Sequence, residues 1–148
     1  MRARDLAVPQ PSVRADAPAS EAAEKLASVD IRAIFVLGPA GELLGVVSDS
    51  SLLRELLPSY VEEDRALAAV VEEEPADELW LWLGGRTAAD LLPEDQETEV
   101  RVDADATLIE VASVMVRART PLVGVVDDGH LLGGITINRL LSHLLARG

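Results

Sequence analysis

The sequence predicts an α+β fold made of two β-α-β-β-α repeats with a helical insertion between them. Three observations carry this. The stretch Gly41-Glu-Leu-Leu-Gly-Val-Val-Ser48 returns as Gly129-His-Leu-Leu-Gly-Gly-Ile-Thr136, 88 positions on, with 41 matching 129, 45 matching 133 and 48 matching 136. Each copy is followed, three residues later, by a polar residue and a leucine, Ser51-Leu52 and Arg139-Leu140. Upstream, Glu21, Ala23 and Leu26 find their matches in Glu110, Ala112 and Met115, at an offset of 89. Each copy of the stretch reads as turn, strand, cap and helix. A turn glycine leads into two leucines, a second glycine and a β-branched run. A hydroxyl residue that can cap a helix follows, then a leucine-rich segment. A duplicated unit of this kind makes two similar lobes.

The elements follow in order. Arg4-Asp5-Leu6 is read as a short helical turn, and Pro9 and Pro11 set an extended run through Val13. A helix is expected from about Pro18 to Val29, with Pro18 in the first helical position and Glu21 and Glu24 toward the positive end of the dipole. Ala22, Ala23 and Leu26 form its apolar stripe. Ile34 to Leu37 is a buried strand, Gly38-Pro39-Ala40-Gly41 a turn, and Leu43 to Val47 the returning strand. A helix from Asp49 to Leu57 stops at Pro58. In the second copy, Val100 to Val102 is a short strand. Thr107-Leu-Ile-Glu110 is a capping-box pattern opening a helix to about Arg117. Leu122 to Val126 and Leu131 to Ile135 form a hairpin about Asp127-Asp128-Gly129, and the last helix runs from about Asn138 to Ala146. The predicted organisation is therefore 1–58 for the first repeat, 59–86 for the insertion and 87–148 for the second repeat.

The insertion is long for a connection. Tyr60 to Glu74 reads as an acidic helix with Leu67, Val70 and Val71 on one side, broken by Pro75. Leu79-Trp-Leu-Trp-Leu83 carries both tryptophans of the chain. Two residues apart, Trp80 and Trp82 do not share a helical face. The segment either folds over a lobe or presents an apolar patch to a partner. Ala88 to Leu92 is another short helix, and Asp95 to Glu99 a polar loop.

Composition closes off several functions. A net charge of −13 and a pI near 4.4 argue against nucleic acid and anionic membrane surfaces as partners. With no cysteine there is no disulfide, thiolate nucleophile or Cys-ligated metal. No stretch approaches the roughly 18 apolar residues of a membrane span, and Met1 to Asp5 opens no signal-peptide pattern, so no membrane insertion and a cytoplasmic location are expected. Aromatics are only 3% of residues, so the core must be built from Leu, Val, Ile and Ala. His130 and His143 stand alone, with no metal-ligand spacing. Glu62 to Asp64 and Glu72 to Glu74 read as solvated helix faces, with weak Mg²⁺ or Ca²⁺ binding as the alternative. There is no GxSxG, P-loop or GxGxxG pattern and no histidine paired with a nucleophile, so no catalytic residue is assigned and the chain is expected not to be an enzyme.

The order strand–helix–strand–strand–helix, written twice, resembles a tandem pair of CBS domains, a stand-alone Bateman module. In the first copy the resemblance rests on Ser20 to Ala23 with Leu26, Ile34 to Leu37 and Gly41 to Leu52. In the second it rests on Thr107 to Ala112 with Met115, Leu122 to Val126 and Gly129 to Leu140. Ala88 to Leu92 looks like the helical lead-in of such a repeat, and Arg4-Asp5-Leu6 like its equivalent before the first. The resemblance implies two lobes packed through their sheets about a pseudo-two-fold axis, two clefts between them, and homodimers of such modules. It also implies adenine nucleotides (AMP, ADP or ATP, with or without Mg²⁺) as regulatory ligands rather than required cofactors, and a separate regulated protein as partner. In the family pattern G-x-x-[ST]-x-x-D, the hydroxyl residue binds phosphate or ribose and the Asp binds ribose hydroxyls. Gly45 and Ser48 match, as do Gly133 and Thr136, but Ser51 and Arg139 stand where the Asp would be. A carboxylate accepts two ribose hydroxyls through charge-assisted bonds; a serine offers one neutral bond, and an arginine only donates. A phosphate could still use the helix starts after Ser48 and Thr136, with Arg139 adding positive charge.

The candidate binding residues are therefore Gly45, Ser48, Ser51, Gly133, Thr136 and Arg139. Two functions stay open: a sensor that binds an adenine nucleotide between the repeats and signals through lobe or dimer packing, and an interaction module with degenerate clefts.

Overall fold

A computed structural model of the chain describes residues 1–56, 81–93 and 100–146. The expected acidic helix 60–74, the charge clusters within it, Trp80 and the loop 95–99 lie outside the described residues. The described elements are α1 (Ala3–Leu6), β1 (Ser12–Arg14), α2 (Ala19–Leu26), β2 (Ala33–Leu37), β3 (Leu43–Ser48), α3 (Asp49–Leu56), a 3-10 turn (Ala88–Leu91), β4 (Arg101–Asp103), α4 (Leu108–Ala118), β5 (Leu122–Asp127), β6 (His130–Thr136) and α5 (Ile137–Leu144). Residues 81–84 are also helical.

Each repeat folds into the same three-stranded sheet. β1 runs parallel to β2, which pairs antiparallel with β3; β4, β5 and β6 repeat the pattern. Both hairpins carry the same bulge. Leu37 pairs with Leu43 while Val36 pairs with Gly45, so Leu44 is the extra residue; in the second repeat it is Leu132. The second hairpin closes on Asp128 and Gly129, both at positive φ (50° and 81°), the backbone of a type I′ turn.

Strand alternation sends one face of each sheet to its own helices and the other to the opposite repeat. Ile34, Val36 and Val47 pack with Ala19, Ala22, Leu26 and Leu52 in the first repeat. Val123, Val125 and Ile135 pack with Val111, Val114, Met115 and Leu140 in the second. Between the sheets lies a third layer of Ala33, Phe35, Leu43, Val46, Val100 and Leu122. Across it, Arg101 Nη2 donates to the Leu43 carbonyl at 2.8 Å.

The two lead-ins dock crosswise. α1 belongs in sequence to the first repeat, yet Ala3 and Leu6 are fully buried in the core of the second. The 3-10 turn precedes the second repeat, yet Ala88 and Leu91 are buried in the core of the first. The backbone bonds mirror each other. Ala3 N–H donates to Ala106 O and Arg4 N–H to Ala104 O; Ala88 N–H donates to Ala17 O and Ala89 N–H to Ala15 O. Asp5 accepts from the Arg2 N–H as Asp90 accepts from the Thr87 N–H. Outside this layer Arg4 reaches the Asp105 carboxylate at 2.6 Å; that hydrogen bond and the accompanying charge raise the pKa of the guanidinium above its ordinary value.

Some boundaries differ from the sequence expectation. Pro18 is the N-cap of α2, not its first helical residue, because its backbone bridges to Thr87. α2 stops at Leu26, three residues early: Ser28 N–H bonds back to Lys25 O and Ile31 N–H to Ser28 O, turning the chain into β2. α5 starts at Ile137, one residue early, since Thr136 is both the last strand residue and the cap. It ends at Leu144, short of the expected Ala146. Ala88–Leu91 is a 3-10 turn where a short helix to Leu92 was expected.

Candidate functional site

The two β-strand-to-helix junctions are built alike. Asp49 N–H, the first of α3, donates to Arg32 O at 2.8 Å, and Ile137 N–H, the first of α5, donates to Pro121 O at 3.0 Å. Arg139 N–H, the third in α5, donates to Thr136 Oγ1 at 3.2 Å. Ser51 N–H, the third in α3, donates to Ser48 Oγ at 3.1 Å. Ser48 and Thr136 are thus both N-caps, as their residue type and position indicate.

Beyond the caps the junctions diverge. Ser51 folds back on Ser48: its hydroxyl donates to Ser48 O at 3.0 Å and accepts from Ser48 N–H at 2.9 Å. The Ser48 hydroxyl also lies 3.2 Å from that of Ser50. With Ser48 buried, this junction spends its hydroxyls internally. At the other junction Thr136 is half-buried, and the Arg139 side chain turns to the first lead-in, its Nε donating to the Leu6 carbonyl at 2.6 Å.

Thr136 opens onto a cleft of about 210 Å³ between the repeats. One wall is Gln10 and Pro11, just before β1, with Asp30, Ile31, Arg32 and Ala33 leading into β2. The other is Pro121 and Leu122 with Thr136, Ile137 and Asn138. Apolar Pro11, Ile31, Ala33, Pro121 and Leu122 offer faces to a flat ring. Polar groups line the same space: the start of α5, where the helix dipole favours an anion, with Thr136 and Asn138, which carries the second helical N–H. Arg32 stands on the rim, its Nε 3.7 Å from Asp49 Oδ2 with both side chains largely solvated. This exposed pair is weak, leaving Arg32 easily recruited by an incoming anion.

Of the six sequence candidates, Thr136 alone lines this cleft; Gly133 lies in β6 against Val8, Arg139 lies in α5 with its side chain on the Leu6 carbonyl, and Gly45, Ser48 and Ser51 lie at the pseudo-equivalent junction. Gly45 and Gly133 each pair directly after the bulge residue. At Gly133 the reason for glycine is direct: a Cβ would stand 2.8 Å from the Val8 carbonyl oxygen. Gln10, Pro11, Ile31 and Arg32 were not singled out from the sequence. The signal available was weak: a proline before β1 and another, Pro121, before β5.

A second concavity of about 450 Å³ lies outside the cleft, on the helical face of the second repeat. Ala112, Met115 and Val116 of α4 and Ile137, Leu140, Leu141 and Leu144 of α5 line it, with Arg32, Asp49 and Ser50 at the edge. Of the two tryptophans, Trp82 packs half-buried against the first repeat, with the Arg86 guanidinium 4.0 Å above its ring. That contact favours the fold-over reading for this residue. Among the described residues no group of His, Asp or Glu is arranged to hold a metal ion, and no helix is long and apolar enough to cross a membrane.

The CBS-domain family model matches residues 3–58 and 96–146. The chain belongs to the CBS-domain family, as two CBS repeats in tandem. It is similar to a CBS domain-containing protein of unknown function from Kribbella flavida: 38% identity, 99% of each chain covered, TM-score 0.80. The fold is also that of CBSX2, solved in complex with AMP (22% identity, 97% of this chain and 96% of that one, TM-score 0.67). Hypoxic Response Protein I, solved with two coordinated zinc ions, shares it too (22% identity, 97% and 98% covered, TM-score 0.67). Comparison with curated proteins gave no match.

Proposed function

We propose that this CBS pair is a regulatory, non-catalytic module that takes an adenine-containing nucleotide in the Thr136 cleft and signals through lobe or dimer packing. The observation that carries the reading is the cleft itself, which lines one space with the apolar Pro11, Ile31, Ala33, Pro121 and Leu122 together with Thr136, the start of α5 and Arg32. That AMP occupies the related CBSX2 supports the ligand class. At about 210 Å³ the cleft is smaller than the roughly 300–1,000 Å³ of typical ligand sites. It therefore encloses the base and leaves the phosphates at the solvent rim near Arg32 and the α5 start. Arg139, beside Thr136, adds positive charge in place of a ribose-binding carboxylate, which shifts recognition from ribose toward phosphate. Gly133 keeps the junction close to the N-terminal segment. Gly45, Ser48 and Ser51 form the weaker counterpart, since Ser51 is already satisfied internally.

The dimer is proposed to form through α4 and α5, two copies meeting face to face about a two-fold axis. The two helical faces differ. α4 and α5 expose Ile109, Val116, Ile137, Leu141 and Leu144 beside two charged residues, Glu110 and Arg117, whereas α2 and α3 expose Glu21, Glu24, Arg54 and Glu55 with one large apolar residue, Leu53. An apolar face matches its own copy better than the charged face of the first repeat, which favours an isologous contact between second repeats. The second reading, an interaction module with non-binding clefts, draws on the same apolar face together with the missing carboxylates at Ser51 and Arg139. Calorimetric titration of AMP into the wild type and Thr136→Ala decides between them. The sensor reading expects binding that the variant weakens at least tenfold; equal heats in both, or none in the wild type, oppose it.

A further inference from the structure

We infer that Arg139 couples the Thr136 cleft to the N-terminal strap, residues 2–8, so that a bound anion and the docked strap stabilise each other. The inference rests on the nucleotide reading above and adds a regulated element to it. Arg139 sits between the two, joined to the cleft residue Thr136 by its backbone and to the strap by its side chain. Its backbone N–H bonds the Thr136 hydroxyl and its Nε bonds the Leu6 carbonyl, 133 residues away in sequence. The strap then pairs with the edge of β6: Val8 N–H donates to Gly134 O at 3.0 Å, and Gly134 N–H donates to Val8 O at 2.8 Å. Two residues further on, the same run of chain becomes Gln10 and Pro11, one wall of the cleft.

The physical consequence is linkage. If the strap leaves β6, Gln10 loses the Val8–Gly134 pairing beside it and that part of the wall loosens, while Pro11 stays held through the Phe35 N–H bond to its carbonyl at 3.1 Å. A guanidinium carries five N–H donors in a rigid fork; the Leu6 carbonyl takes the one on Nε, and an anion at the start of α5 takes others. Pinning the fork from one side orders it for the other. Whatever strap docking adds to ligand affinity, the ligand returns to strap docking by the same factor. Arg139 acts here as a positioning residue for the wall.

Hydrogen exchange of the full chain, read on peptides covering residues 2–8 and 131–136, tests this with AMP as the probe. In ligand-free protein, Arg139→Gln should speed exchange of Val8 and Gly134 by roughly tenfold, the scale of losing one charge-assisted bond. Arg139→Lys should restore most of the protection, because an ammonium can reach the same carbonyl. In the wild type, AMP should slow exchange at Val8 and Gly134; in Arg139→Gln it should not. Unchanged exchange at Val8 in ligand-free Arg139→Gln overturns the coupling whatever the protein binds. A melting shift with AMP but no slowing at Val8 overturns the coupling and leaves the nucleotide reading standing. No melting shift with AMP defeats the nucleotide reading and the coupling built on it.

Discussion

The ring of Phe35 fills the space that a side chain on Gly134 would need: a Cβ there would stand 2.6 Å from Phe35 Cζ. The pair shows how two repeats of one pattern become a single asymmetric body. Phe35 pairs in register with Val46, and their counterparts in the second repeat, Gly124 and Gly134, pair with each other. The first sheet presents bulk and the second presents a hollow. Leu43 enters the same hollow at Gly124, where a Cβ would lie 2.5 Å from Leu43 Cδ2. Two first repeats could not meet this way, since Phe35 would face Phe35.

Gly134→Ala should therefore destabilise the chain by about 1–3 kcal/mol, the range for overpacking a filled core. Phe35→Leu alone should cost a similar amount through lost burial. Combined, the two should cost less than their sum, because the smaller side chain makes room. Denaturant unfolding of the four proteins in a double-mutant cycle checks this; strict additivity would mean that the ring does not press on Gly134.

Leu6→Ala should cost about 2–5 kcal/mol, as for a fully buried leucine. The loss should appear first in the second repeat, although Leu6 precedes the first. Hydrogen exchange should rise at Val123, Val125 and Ile135 before it rises at Ile34 and Val36. The reverse order would contradict the crosswise docking of α1.

How much of this could be read in the sequence follows from these residues. The repeats are legible because a fixed offset needs no tertiary information, and helical spacing points Ala22 and Leu26 inward, where the structure buries them. The bulk-and-hollow difference was also on the page, as Val46 against Gly134 and Phe35 against Gly124, but its meaning requires knowing that the two faces meet. The lead-ins were recognisable as short turns, yet nothing local says that Leu6 crosses to the other repeat. Its helix position marks Arg139 as a contact for a phosphate. Its bond to Leu6 O depends on that crossing and so stayed hidden, as did the cleft wall at Gln10 and Pro11.

Thr136→Ala and Ser48→Ala should each cost about 0.5–2 kcal/mol of stability as lost N-caps. Only Thr136→Ala should also weaken AMP, because the Ser48 junction spends its hydroxyls on Ser50 and Ser51. Melting temperature and calorimetry on both variants separate the two effects. Equal loss of AMP affinity would show the clefts to be equivalent.

Leu141→Glu, at a side chain 47% exposed, should leave the fold intact and convert a dimer into a monomer in sedimentation experiments. Leu53→Glu, on the charged face of α3, should leave the dimer in place. A monomeric wild type, or a dimer broken only by Leu53→Glu, would exclude the proposed α4–α5 interface.

Nucleotide binding at the Thr136 cleft is tested by thermal melting of the full chain against AMP, ADP and ATP up to millimolar concentration, with and without Mg²⁺. A nucleotide at about 100 times its dissociation constant adds roughly 2.7 kcal/mol to folding stability. For a chain of this size that is a rise of about 5–10 °C. At least one nucleotide should give such a rise, and Thr136→Ala should lose it. A flat response across all three would contradict it and leave the apolar face of α4 and α5 as the working surface of the molecule.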